Sequence, residues 1–209
     1  MSIMTTWGYS LIDTDAVPDL MTLTEFNDFT AQKYIGDERA EFDIRAASSA
    51  IREFCGWHVY PSQACELNTT FFDKRVSVVD RMLLIQLPAT FVSAIESIQI
   101  GDETIDSTFV LMPNGVLRVF GLAWSRLTLW TPVVVNYTAG LPEGTAEDVM
   151  AVLADRVTHA LASSEGVQSE TAGGVSVTYN AAWANGAKAT ALADDTKEVL
   201  SHYRLRGVF

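Results

Sequence analysis

Apolar residues recur along this chain at two spacings, and the changes of spacing divide it into stretches. Ala40, Ile44, Ala47, Ile51 and Phe54 step by four, three, four and three, which draws one stripe along a helix. Ahead of them, Thr22-Leu-Thr-Glu25 has the form of a capping box. It predicts a first helix with Leu23, Phe26 and Tyr34 on its apolar side, ending near Gly36. Asp37 can cap the second helix, Gly56 stands where a left-handed residue would stop it, and Pro61 keeps it from running on. From Ala64 to Thr138 the period shortens. Residues 67–72, 82–87, 95–100, 109–112, 116–120, 127–130 and 133–137 are short runs rich in β-branched or aromatic side chains, and predict strands. Pro113-Asn114-Gly115 predicts a hairpin turn, and Gly101-Asp102 a second turn.

Helical spacing returns after Thr145-x-x-Asp148, a capping-box variant. Val149, Val152, Leu153, Arg156, Val157 and Ala160 share a face, so this helix should reach about Ser163. Residues 164–172 read as a polar loop, 175–179 alternate as one short strand, and 181–189 form a small-residue linker. Leu192, Thr196, Val199 and Tyr203 mark a last helix. Residues 1–21 show no clear period and read as an extended arm. The expected fold class is α+β. Helices from 22–63 and 139–209 each have a narrow apolar stripe and should bury it in one bundle, from which a small β-module at 64–138 projects. There is no internal repeat.

Composition supports a folded globular chain: 209 residues, 48% hydrophobic and 19% charged. A net charge of −12 argues against a nucleic-acid-binding surface, which needs clustered Lys and Arg. It is compatible with DNA passing close by, because a negative wall does not hold DNA. The charge is uneven. Asp13, Asp15, Asp19, Glu25 and Asp28 precede the first cation, Lys33, whereas Lys197, Arg204 and Arg206 face only Glu198 at the other end. This is either a solvated acidic arm or a pair of unlike ends that meet different neighbours. Cys55 and Cys65 form no Cys-x-x-Cys motif, which fits a reduced, intracellular-type protein. The N-terminus has neither the basic nor the apolar region of a signal peptide, and the apolar stretch at 82–92 is too short to span a bilayer.

Candidate chemistry is thin. Asp155, His159 and Ser163 fall at i, i+4 and i+8 in an acid–base–nucleophile order. Residues stacked along one helix do not converge on a point, so a polar stripe is the better reading. His58 between Trp57 and Val59 reads as a packed or interface imidazole, and no spacing supplies the three or four ligands of a metal site. Gly140 and Gly144 lack the Lys and Ser/Thr of a phosphate loop. The carboxylate pairs Glu147-Asp148 and Asp194-Asp195 point apart on a helix. Trp124 and Trp130 could stack on a sugar, but core or interface use fits aromatic residues better. No catalytic residue, metal or cofactor is expected.

The order of several local signatures resembles that of the head–tail connector (adaptor) proteins of long-tailed bacteriophages. Phe54-Cys55-Gly56-Trp57 with Pro61 close behind is similar to the turn that leaves the family's second helix. Leu87-Pro88-Ala89 with Val92 and residues 95–100 resembles its proline-marked strand entry. Residues 135–140, the helix from Thr145, Ser169-Glu170 running into 175–179, and the last helix at 199–204 complete a likeness that touches most of 22–206. It implies a structural virion protein without enzymatic activity. Such a subunit sits in a ring, usually of twelve copies, in the neck beneath the portal. The ring extends the DNA channel, which DNA crosses without specific binding, and offers a landing surface to stopper or tail-tube proteins. The resemblance also assigns portal binding to Tyr203, Arg204, Leu205, Arg206 and Phe209. A stopper or tail terminator is the nearest alternative, and a hydrolase or carbohydrate-binding module centred on the β-module is a more distant one.

Overall fold

The computed structural model describes residues 2–12, 14, 16–35, 37–105, 108–124, 127–163, 169–172, 175–178 and 192–205. Ten of its strands form two antiparallel sheets. The larger has the order β1-β2-β3-β10-β6-β7, from β1 (Ser2–Met4), β2 (Ser10–Ile12), β3 (Gln63–Thr70), β6 (Val92–Ile100), β7 (Glu103–Thr104) and β10 (Pro132–Ala139). The smaller has the order β4-β5-β9-β8, from β4 (Val76–Val79), β5 (Met82–Gln86), β8 (Phe109–Met112) and β9 (Val116–Val119). The described residues within 1–18, 55–145 and 203–205 make one compact unit that holds both sheets. Those within 19–54 and 146–202 make a second. It carries helices α1 (Leu23–Phe29), nearly all of α2 (Glu38–Cys55), α3 (Glu147–Ser163) and α4 (Asp194–Leu200), with the hairpin β11 (Ser169–Ala172) and β12 (Val175–Thr178).

Strand β10 centres the larger sheet because both of its edges are paired. It runs against β3 with Val135 opposite Leu67 and Tyr137 opposite Cys65, and against β6 with Val135 opposite Ile98. Alternate residues Val133, Val135, Tyr137 and Ala139 are fully buried, which locks the register, since a one-residue slip would turn them all to the other face. In the smaller sheet β8 and β9 are joined by Pro113–Gly115, where Asn114 and Gly115 take φ of 67° and 73°. Gly115 has a second reason to lack a side chain: a Cβ there would lie 2.2 Å from the Ala89 carbonyl oxygen.

In the second unit the capping box forms as its sequence indicates. The Glu25 amide donates to Thr22 Oγ1 at 3.2 Å, and the Thr22 amide donates to Glu25 Oε2 at 2.7 Å. Helix α1 stops at Phe29, well short of Gly36, because Ala31 and Gln32 turn to φ of 53° and 61°. Helix α2 buries Ala40, Ile44, Ala47, Ile51 and Cys55. The stripe closes on Cys55, not Phe54, which is half-buried. Helix α3 buries Val149, Leu153, Val157 and Leu161.

The expected architecture, a helical bundle carrying a small β-module, is not the one adopted. The chain is mostly sheet, and two of its four described helices are only seven residues long. The misreading has local causes. The segment expected as an arm supplies β1 and β2, whose three residues each are too few to show a period. The run at 127–130 is not a strand but a turn, held by the Thr128 amide donating to Thr131 Oγ1 at 2.8 Å. Strand β11 lies in the expected polar loop, since Ser-Glu-Thr-Ala has little of a strand's composition.

Candidate functional site

Three distant parts of the sequence meet where the chain leaves α2. Gly56, at φ 79°, ends the helix, and Val59, at φ 64°, turns the chain toward β3. The end of β10 closes on this turn: the Leu141 amide donates to the Val59 carbonyl at 2.8 Å. Gly140 packs so tightly that a Cβ would come within 2.5 Å of the Pro61 carbonyl oxygen.

His58 lies inside this junction, 1% exposed. Its Nε2 is 2.9 Å from the Ala139 carbonyl oxygen, which can only accept, so Nε2 carries the proton. Its Nδ1 then accepts from the Tyr9 hydroxyl at 2.7 Å, and the His58 amide donates to that same hydroxyl oxygen at 3.1 Å. The imidazole thus joins β2's approach, the turn and the end of β10. This is a packed imidazole with a structural role.

The third strand of chain is the C-terminal segment. Trp57 is fully buried, and its Nε1–H donates to the Tyr203 carbonyl at 2.6 Å. The Thr90 hydroxyl reaches the same oxygen at 3.5 Å. The Leu205 amide donates to the Cys55 carbonyl at 2.7 Å, so the tail caps one of the carbonyls that α2 leaves open at its end. Of the five residues assigned to portal binding, Tyr203 and Leu205 are half-buried and anchored through their main chain, and Arg204 is exposed. Arg206 and Phe209 lie outside the described residues. The anchor itself was not legible beforehand. The one signal for it was Trp57 next to a helix-ending glycine, an indole whose N–H needs an acceptor once buried.

Among the described residues the remaining candidates are not brought together as a reaction centre. On α3, His159 Nε2 is 3.4 Å from Asp155 Oδ1, and both side chains are well exposed; the side chain of Ser163 is outside the described set. Burial pushes the thiols of Cys55 and Cys65 up to about 12, against an ordinary 9.0, so neither is a thiolate nucleophile near neutral pH. The nearby Arg204 offsets this only in part at Cys55. Among the described residues no three His, Cys, Asp or Glu side chains are placed to hold a metal ion. No helix among them is long and apolar enough to cross a membrane. Trp124 packs edge-on to Phe71, while Trp130 is exposed and stacks on exposed Phe72 with ring centres 5.6 Å apart. Trp130 also lines an open groove with Asp102, Glu103, Leu127 and Thr128.

Comparison with known proteins supplies what the chemistry does not. The family model described as "Head completion protein" matches residues 19–205. Two solved structures share the fold. A chain from a structure described as the virion of a native gene transfer agent particle aligns with a TM-score of 0.55 and 15% identity, over 96% of this chain and 97% of that one. A chain from the neck of an empty gene transfer agent particle, computed with C6 symmetry, aligns with a TM-score of 0.55 and 17% identity, over 95% and 97%. No curated protein matches.

Proposed function

The chain belongs to the head completion protein family, and on that premise we propose that it is a structural subunit of the virion neck that joins the filled head to the tail. The observation that carries this reading is the extent of the family match, which takes in the whole of the second unit and most of the first and not one isolated motif. The likeness in fold to a chain from a particle neck supports the same position.

In this reading the subunits form a ring under the portal, and the ring continues the DNA channel and presents a surface to the stopper or tail. Sixfold symmetry in the similar neck is compatible with six or twelve copies, and we favour twelve. The anchored C-terminal segment is the arm toward the portal. Tyr203 and Leu205 fix where it departs, Arg204, which is exposed, suits carboxylates, and in the sequence beyond it Arg206 suits carboxylates and Phe209 an apolar slot. The protein works by contact and not by catalysis.

The test is reconstitution. Particles made without this protein should accumulate as full heads and free tails, and purified protein should restore joining. Tails that attach equally well without it would overturn the proposal. Removal of residues 206–209 should abolish joining while the thermal unfolding midpoint changes little, since the Trp57–Tyr203 and Leu205–Cys55 contacts are both kept.

A further inference from the structure

An antiparallel sheet with one wet face alternates apolar and polar residues along its strands; a sheet covered on both faces does not. The four-stranded sheet does not alternate. One face buries Val76, Leu83, Ile85, Leu117 and Val119 and leaves Val78, Phe109 and Leu111 on the outer strands partly or largely exposed. The other carries Val79, Met82, Leu84, Val110, Met112 and Val116, and none of these is buried. Val79 and Val110, on the two outer strands, are 45% and 49% exposed. In the middle row of this open face Ser77, Leu84, Arg118 and Val110 lie side by side across the four strands. Arg118 Nε and Ser77 Oγ are buried atoms without a hydrogen-bond partner among the described residues. An apolar face with an unmatched cation at its centre is a surface made to be covered by something acidic and apolar.

We propose that it is covered by a neighbouring copy of this chain, through the acidic N-terminal stretch that ends in Asp28–Phe29. Two identical faces meeting at their centres would bring Arg118 against Arg118, which disfavours a like-on-like contact and favours one that joins unlike patches. The complement is present in the same chain. Residues 1–32 hold five carboxylates and no Lys or Arg. At the end of α1, Asp28 is exposed with no side-chain partner among the described residues, and beside it Phe29 is 59% exposed. A carboxylate next to an aromatic ring is the pair that this face requires. Contacts between unlike patches close into rings when the rotation closes, so the inference deepens the ring reading above and rests on it.

The experiment uses full-length protein added to portal-bearing heads that lack it, with bound rings counted by electron microscopy. The wild-type chain should decorate the heads. Arg118→Glu and Asp28→Arg should each, alone, lower ring-bearing heads by about tenfold or more, as expected for an unmatched interface charge. An equal mixture of the two variants should restore the rings, because in an alternating ring every contact again pairs opposite charges. Val110→Glu guards against misfolding at Arg118. It should also fail to assemble, with an unfolding midpoint like the wild type's. Normal assembly of Arg118→Glu or Val110→Glu alone, or no recovery in the mixture, would overturn this interface and leave the ring reading standing. A wild-type chain that never forms rings on heads would overturn both.

Discussion

At the scale of single residues, the junction around His58 concentrates what holds the sheet unit together. Tyr9→Phe removes the hydroxyl that serves both Nδ1 and the His58 amide. It leaves two buried polar groups unmatched and should cost about 1–3 kcal/mol in a urea unfolding experiment. No loss of stability would show that this contact does not contribute. The cysteines give a second test. Their folded-state pKa values are raised to about 12 from 9.0, so the native state holds its protons longer than the unfolded chain does. Their contribution to stability is complete below pH 9 and is lost as pH rises from there toward 12. At pH 8 a thiol reagent should label neither cysteine in the native protein and both once the chain is unfolded. His58 was legible in the sequence as a packed or interface imidazole. The partners of His58 were not, because Tyr9 and Ala139 are distant along the chain and an isolated histidine carries no signal of its acceptors.

At the scale of elements, Gly140 shows how closely the sheet and the turn are fitted. Gly140→Ala would place a Cβ against main-chain atoms of Pro61 and Ser62, at a φ of 119° that side chains disfavour. The expected cost is about 2 kcal/mol or more, read as a lower urea midpoint with an unchanged slope. An unchanged midpoint would mean that the two stretches are free to move apart. The sequence signals that held are those that need few residues to work: the Thr22–Glu25 box, the Gly56 stop, and the Pro113–Gly115 turn. Those that failed depended on period. Strands β1, β2 and β7 are two or three residues long and owe their form to a neighbour across the sheet, which no local window can register. That is why a mostly β chain read as a helical bundle. The open face of the four-stranded sheet was written in the sequence as Met82-Leu-Leu-Ile and Phe109-Val-Leu-Met, but runs this short do not say which face is covered or by what.

At the scale of the molecule, charge and surface take the place of chemistry. A chain of net charge −12 should not retain duplex DNA in a gel-shift experiment at physiological salt, and a stable complex would contradict a passive channel wall. In a ring the excess charge is multiplied by the number of copies, so most of it must face solvent or the channel, with cations reserved for contacts. Under the two proposals, Arg118 on the open sheet face and Arg204 at the tail anchor would make such contacts. The family was legible only in the order of several weak signatures. The resemblance singled out the tail, but nothing in the sequence showed its tether to Trp57 and Cys55. The most direct measurement is a cryo-electron microscopy map of the assembled particle's neck. A closed ring of this chain is expected between portal and tail, with its C-terminal segments reaching toward the portal. A neck whose ring is fully explained by other proteins, with this chain absent or confined to the tail, would contradict it.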